Sequence, residues 1–306
     1  MTTPLDQRRF LFVTGKGGVG KTTVSAALAV ALAGKGKRVL LTACDTKERL
    51  SGLFGVKALS PEIQPVAERI WAVKLEPESA LREYGSMMLK SEKLFDAVFD
   101  NRYTHGFFAG VPGLYEWSML GKAWFHTTET LKDGSPRFDV VLFDAPATGH
   151  GLDMLRVPKV IVDVVPPGLL RQEAERAWRM FQDPKVSGVV VVTLPEDMPT
   201  NETIELIKAL EEELSLPVAR LVVNAVLEPM FSEAERAELL EERNIDRNQP
   251  GDEAIAAGIR RAIRERVEAE ALRRLGELGK EQLTLPLLRG DVTNQKDIRE
   301  LALLVK

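Results

Sequence analysis

The sequence predicts an α/β fold: a doubly wound, mostly parallel sheet with helices on both faces and a helical insertion. Three observations carry this. Short β-branched and aliphatic runs alternate with stretches of helical character along the 306 residues. The runs lack apolar/polar alternation, so both of their faces are expected to be buried under helices, as in a parallel sheet. A glycine-rich loop stands between the first run and an alanine-rich helix, a place where such folds can hold an anion.

Composition limits the function. The chain is 44% hydrophobic and 28% charged, with a net charge of −4, so nothing points to general attraction to nucleic acid or anionic membranes. No nucleic-acid partner is expected. One cysteine, Cys44, excludes an internal disulfide framework and a C-x-x-C zinc site; no zinc is expected. His105, His126 and His150 are far apart and form no metal spacing. The N-terminus lacks a long apolar signal segment, and no stretch approaches the ~18 apolar residues of a membrane span. A cytoplasmic protein without a stable membrane anchor is expected.

The elements follow in order. A strand is expected at 10–13, then T-G-K-G-G-V-G-K-T-T at 14–23. From Gly15 to Thr22 this loop satisfies the Walker A pattern G-x-x-x-x-G-K-[ST]. Gly15, Gly17, Gly18 and Gly20, with Val19 and Thr23, form a loop whose successive N–H groups can face one anion. Lys21 would reach the β- and γ-phosphates, and the Thr22 hydroxyl would ligate Mg²⁺. The pattern needs only Lys21; Lys16 is additional. A helix is expected at 22–33, its alanines allowing close packing and Gly34 serving as C-cap.

A second strand, at 39–41, leads to Cys44, read as strand packing, and Asp45. Strand ends converge on the ligand crevice, so Asp45 either orients the attacking water or caps the next helix. A third strand is expected at 71–75. More than half of the aromatic residues lie between Tyr84 and Phe125, with Met87, Met88 and Met119 among them. This predicts one domain over 1–306, with 76–137 and part of 153–187 as a helical subdomain inserted in it. The strand at 140–143 ends in Asp144, a Walker B carboxylate placed to orient a Mg²⁺-bound water. The small residues after it lead to Thr148, Gly149 and His150, a switch segment suited to sensing γ-phosphate.

A helix at 171–182 would complete the subdomain, followed by a strand at 189–193 and a helix at 200–214. The strand at 221–223 ends in Asn224, which is either a simple turn residue or a reader of adenine, whose N6/N7 edge matches a carboxamide. A guanine-selective N-K-x-D motif would place Asp at 227, where Leu227 stands, so ATP is favoured over GTP. The charged stretch at 252–275 reads as a helix with a solvated face.

Together these motifs resemble the deviant Walker A ATPases of the arsenical-pump (ArsA) and Get-pathway, tail-anchored-protein-targeting type, in the SIMIBI class of P-loop NTPases. The GKGGVGKTT loop is shared with ParA and MinD partition ATPases. The stretch Asp144-Ala145-Pro146-Ala147-Thr148-Gly149-His150-Gly151-Leu152 resembles the switch II of the ArsA/Get branch, its small residues rearranged. Asp45 with Leu50-Ser51, the stretch WAVKLEPE at 71–78, and VPGL at 111–114 also resemble that branch. Pro286 and Leu287, with Leu288, resemble its late loop against adenine.

The resemblance implies a homodimer closing around two ATP molecules with Mg²⁺. It implies that Lys16 reaches the partner's nucleotide, that Asp45 is the water-orienting switch I carboxylate, and that Asn224 reads adenine. The departures matter too. One cysteine cannot bind arsenite through several thiolates, and no C-x-x-C pair can clamp a dimer with zinc. Only about 36 residues separate Leu152 from Val189, too few for a long Met-rich insertion there. The expected function is ATP-driven opening and closing of a dimer that binds a protein client, such as a hydrophobic or tail-anchored helix or a membrane-protein partner. The alternatives are a ParA/MinD-like spatial organiser or regulatory switch, and the ATPase subunit of an anion efflux system.

Overall fold

The computed structural model describes residues 3–44, 49–89, 91, 93, 113–146, 150–241, 252–288 and 290–305. Its frame is an eight-stranded sheet: β1 (Phe10–Thr14), β2 (Val39–Ala43), β3 (Gln64–Ala67), β4 (Ile70–Lys74), β5 (Val140–Asp144), β6 (Ser187–Thr193), β7 (Val218–Val226) and β8 (Gln282–Pro286). The order is β3-β4-β2-β5-β1-β6-β7-β8. Every neighbouring pair is parallel except β3 with β4.

The described helices are α1 (Lys21–Gly34), α2 (Leu50–Phe54), α3 (Pro77–Leu89), α4 (Leu114–Thr128), α5 (His150–Val164), α6 (Leu169–Gln182), α7 (Asp197–Lys208), α8 (Glu233–Leu239), α9 (Asp252–Gly276) and α10 (Gln295–Leu304). A π-helical turn, Ala209–Glu213, extends α7.

The strands sort their side chains by parity. Phe10 and Phe12 of β1 join one core with Phe143, Val191 and Val223, beneath residues of α3 to α6. Leu11 and Val13 join another with Leu142, Val190 and Val222, beneath α1 and α10. All five residues of β1, β2 and β5 are buried, which is why these runs show no alternation. With β1 in the middle, the chain winds outward on both sides. That arrangement leaves a crevice at the carboxyl ends of the central strands.

All six expected strands are present. The expected helices at 22–33, 171–182 and 252–275 lie within α1, α6 and α9. Two expectations need correction. Pro286 is not in a loop: it ends β8 and pairs with Val226. Asn224 does not end its strand, because β7 continues to Val226 through a register irregularity. In the stretch expected to be a helical subdomain, Tyr84, Trp117, Met119 and Trp124 pack into the same core as Phe10 and Phe143. Residues 94–112 lie outside the described residues.

Candidate nucleotide site

β1 ends at Thr14, and the chain turns through Gly15 at φ +145° to enter α1 after Gly20 at φ +91°. Both values lie where residues with a Cβ are strained. There is also no room for one. A Cβ on Gly15 would collide with the carbonyl oxygen of Val192 in β6, and one on Gly20 with Nδ2 of Asn224 in β7. The loop is thus pressed against the carboxyl ends of two neighbouring strands. Gly20 contributes no side-chain cap, so the start of α1 keeps N–H groups for an anion.

Lys21 is the first residue of α1 and only 5% exposed. Its Nζ donates to the carbonyl oxygens of Gly15, at 3.0 Å, and Lys16, at 2.9 Å. The ammonium is therefore curled back inside the loop it follows. One helical position on, Thr22 Oγ1 donates to Asp144 Oδ2 at 2.7 Å. Ser25 Oγ donates to the other oxygen at 2.9 Å. Asp144, at the end of β5, is buried. The expected Walker A threonine and Walker B aspartate are in direct contact. Ser25 was missed by sequence reasoning. Its signal was available, since it lies three residues after Thr22 on the same helical face.

Lys16 points the other way. Its Nζ pairs with Glu202 of α7 in the same chain, 186 residues on. Glu202 too was missed, and no local pattern marks it. Lys16, Gly17, Glu202 and Arg156 line a cleft of about 690 Å³ beside the loop. Arg156 in turn pairs with Glu213, and with Asp153 at 3.3 Å. The start of α5 closes against the same place, since Gly151 lies so near Thr14 Oγ1 that no Cβ would fit between them.

Asn224 Nδ2 donates to the Val19 carbonyl at 2.9 Å. A carboxamide has two N–H groups and an acceptor oxygen, so this bond leaves donor and acceptor capacity for a base. The N–H of Leu287 donates to the Val226 carbonyl at 2.8 Å, and the Leu287 side chain is exposed. Asn224 therefore lies beside the loop, two residues before Val226, with which Pro286 and Leu287 pair at the end of β8. Asp45, Thr148 and Gly149 fall outside the described residues, and His150 is the first residue of α5. Cys44, half-buried, borders a second cleft of about 710 Å³ with Lys74, Glu76 and Tyr115.

These residues fit a nucleotide triphosphate and its Mg²⁺. The loop is held open where two Cβ atoms cannot go, a buried ammonium donates to two carbonyls of that loop, and a hydroxyl and a carboxylate meet next to it. Among the described residues, no cluster of three or more His, Cys, Asp or Glu is arranged to hold a metal ion by protein ligands alone. No helix among them is long and apolar enough to cross a membrane.

Comparison with known proteins agrees. The family model described as anion-transporting ATPase matches residues 8–166 and 169–250. ATPase BagA of Mycobacterium tuberculosis is 30% identical over 230 residues, which span 72% of this chain and 67% of that protein. ATPase GET3 of Kluyveromyces lactis is 25% identical over 270 residues, 77% of each chain. A putative arsenical pump-driving ATPase of Halobacterium salinarum is 27% identical over 263 residues, 78% of this chain but 40% of that protein. With the loop, the Thr22–Asp144 contact and these matches in hand, the chain belongs to the ArsA family of anion-transporting ATPases.

Proposed function

We propose that this ATPase works as a cytoplasmic homodimer that closes around two Mg²⁺-bound ATP molecules and opens after hydrolysis. One observation carries the reading: the loop's two lysines are presented differently. Lys21 is buried within its own loop, while Lys16 stands on the rim, 34% exposed and paired to an exposed glutamate. An exposed pair of this kind contributes only ~0–1 kcal/mol, so Lys16 is readily released to another anion. A nucleotide on a facing subunit is such an anion, and Lys16 would act on it as an arginine finger acts in trans.

In this reading Lys21 exchanges its carbonyl partners for phosphate oxygens. Mg²⁺ would be held by the Thr22 hydroxyl and, through water, by Asp144, and would supply neutralisation of charge on the β- and γ-phosphates. Asp144, fixed at both oxygens, keeps Thr22 and Ser25 oriented. Asp45 orients the attacking water. Thr148, Gly149 and His150 sense the γ-phosphate, and Asn224, Pro286 and Leu287 hold the adenine.

The work of the switch is proposed to be binding and release of a protein client with a hydrophobic helix. The support is the aromatic and methionine content between Tyr84 and Phe125, and the similarity to a GET3 ATPase. Tyr115 is exposed there, while Tyr84, Trp117 and Trp124 serve the core. Anion efflux of arsenite has no comparable support in a chain with one cysteine.

The test is Lys16→Ala. It is expected to bind ATP with near-normal affinity, to lose at least about a hundredfold in turnover, the lower range for deleting an essential transition-state contact, and to stay monomeric with ATP by light scattering. Normal turnover and normal ATP-dependent association would return Lys16 to a surface role.

A further inference from the structure

The chain beyond Asn224 is fixed from behind by two buried carboxylates. Ala225 sits at φ +58°, a left-handed conformation that a residue with a Cβ keeps only where its surroundings over-determine it. On one side, Asn224 is tied to the Val19 carbonyl of the phosphate loop. On the other, the Leu227 N–H donates to Glu268 Oε2 at 3.0 Å. The Met230 and Phe231 N–H groups donate to the two oxygens of Glu265, at 2.8 and 3.4 Å.

Both glutamates stand on α9 and are buried, 4% and 5% exposed. Arg261 binds Glu265 Oε1 at 2.7 Å and also the Glu228 carbonyl. Arg236 lies 3.8 Å from Glu265, and Arg264 lies 3.5 Å from Glu268. A connection on the surface normally leaves such N–H groups to water. Burying two carboxylates to hold three of them is costly and persists only where the partners are well placed. What they hold in place is the irregular end of β7 that presents Asn224.

We propose that Glu268 and Glu265 are positioning residues for the adenine end of the nucleotide site. By anchoring Leu227, Met230 and Phe231 they fix the strand irregularity at Ala225, and through it the carboxamide of Asn224. The inference rests on the reading of Asn224 as the adenine contact. Both glutamates lie beyond residue 250, where the family match ends.

The test uses the full chain with ATP, with inosine triphosphate, which lacks the N6 amino group, and with inorganic tripolyphosphate. Glu268→Ala is expected to raise the KM for ATP about tenfold with kcat within about twofold, the signature of lost uniform binding. Its KM for inosine triphosphate and its tripolyphosphate affinity should stay near wild type, so the preference for adenine collapses. Glu268→Gln keeps an acceptor oxygen and should restore most of that preference. If Glu268→Ala keeps the preference while Asn224→Ala loses it, the proposal is overturned and the reading of Asn224 stands. If Asn224→Ala also keeps it, the adenine reading falls and this inference with it. Should Glu268→Ala fail to fold, Glu265→Gln removes one acceptor at constant volume and must weaken the adenine preference several-fold; an unchanged preference overturns the proposal.

Discussion

Lys16 and Lys21 share one loop, yet burial assigns them to different partners. Lys21 cannot leave the loop without exposing Gly15 and Lys16 carbonyls, whereas Lys16 has only to part from Glu202. Glu202 thus restrains the residue expected to act across the dimer. Glu202→Ala is expected to change stability by less than about 1 kcal/mol, as for other exposed pairs. It should raise ATP turnover, because Lys16 no longer has to exchange an own-chain carboxylate for phosphate. Chemical denaturation and a steady-state phosphate-release assay check both. Turnover falling to the level of Lys16→Ala would show that Glu202 presents Lys16 rather than restraining it. The local half of this site was legible in the sequence, since Gly15 to Thr22 is contiguous and Asp144 ends an obvious strand. The distant half was not. Lys16 and Glu202 are 186 residues apart, and Asn224 and Val19 are 205 apart, so only folding brings them together.

Among the elements, strands buried on both faces announced themselves, and edge strands did not. β3 is short, contains Pro65 and is mostly half-exposed, and β8 has only one fully buried residue, Leu285. Neither carries the continuous apolar run that marked β1, β5 and β6. The start of α7 was missed because Pro199 reads as a breaker, although proline is tolerated in a helix's first turn. Adjacent central strands are also clamped at their amino ends. Asp139, just before β5, accepts from the Arg38 backbone N–H at 2.7 Å and from its guanidinium at 3.0 and 3.1 Å. Hydrogen bonding from Arg38 holds the Asp139 carboxyl below the ordinary aspartate value, against a smaller opposing effect of burial. The folded state therefore takes up this proton less readily than the unfolded state. Stability from the clamp is fully present above the ordinary aspartate pKa and is lost as pH falls through the lowered one. Asp139→Asn should be less stable than wild type at neutral pH, by roughly 1–2 kcal/mol. The difference should shrink on acidification below the ordinary aspartate pKa. Denaturation curves that stay separated by the same amount at acidic pH would remove Asp139 from this role.

At the scale of the whole molecule, the question is which subunit's chemistry each lysine serves. If the dimer is two-fold symmetric, whatever one subunit lends it also receives, so single-variant homodimers cannot separate action in cis from action in trans. Mixed dimers can. Lys16→Ala and Asp45→Asn are each expected to be inactive alone: the first lacks the reaching lysine, and the second holds ATP without orienting water. Combined before ATP is added, they form a dimer in which one site has its own Asp45 and the intact Lys16 of the other subunit. Its second site lacks both. Each mixed dimer then carries one complete site of two, so it should turn over at about half the rate of the wild-type dimer. If Lys16 instead serves its own loop, every site in every dimer lacks either Lys16 or Asp45, and no activity returns. Titrating one variant against a fixed amount of the other should give turnover that rises with the mixed species measured by native mass spectrometry. Activity that stays at background while mixed dimers are present would mean that Lys16 acts within its own subunit.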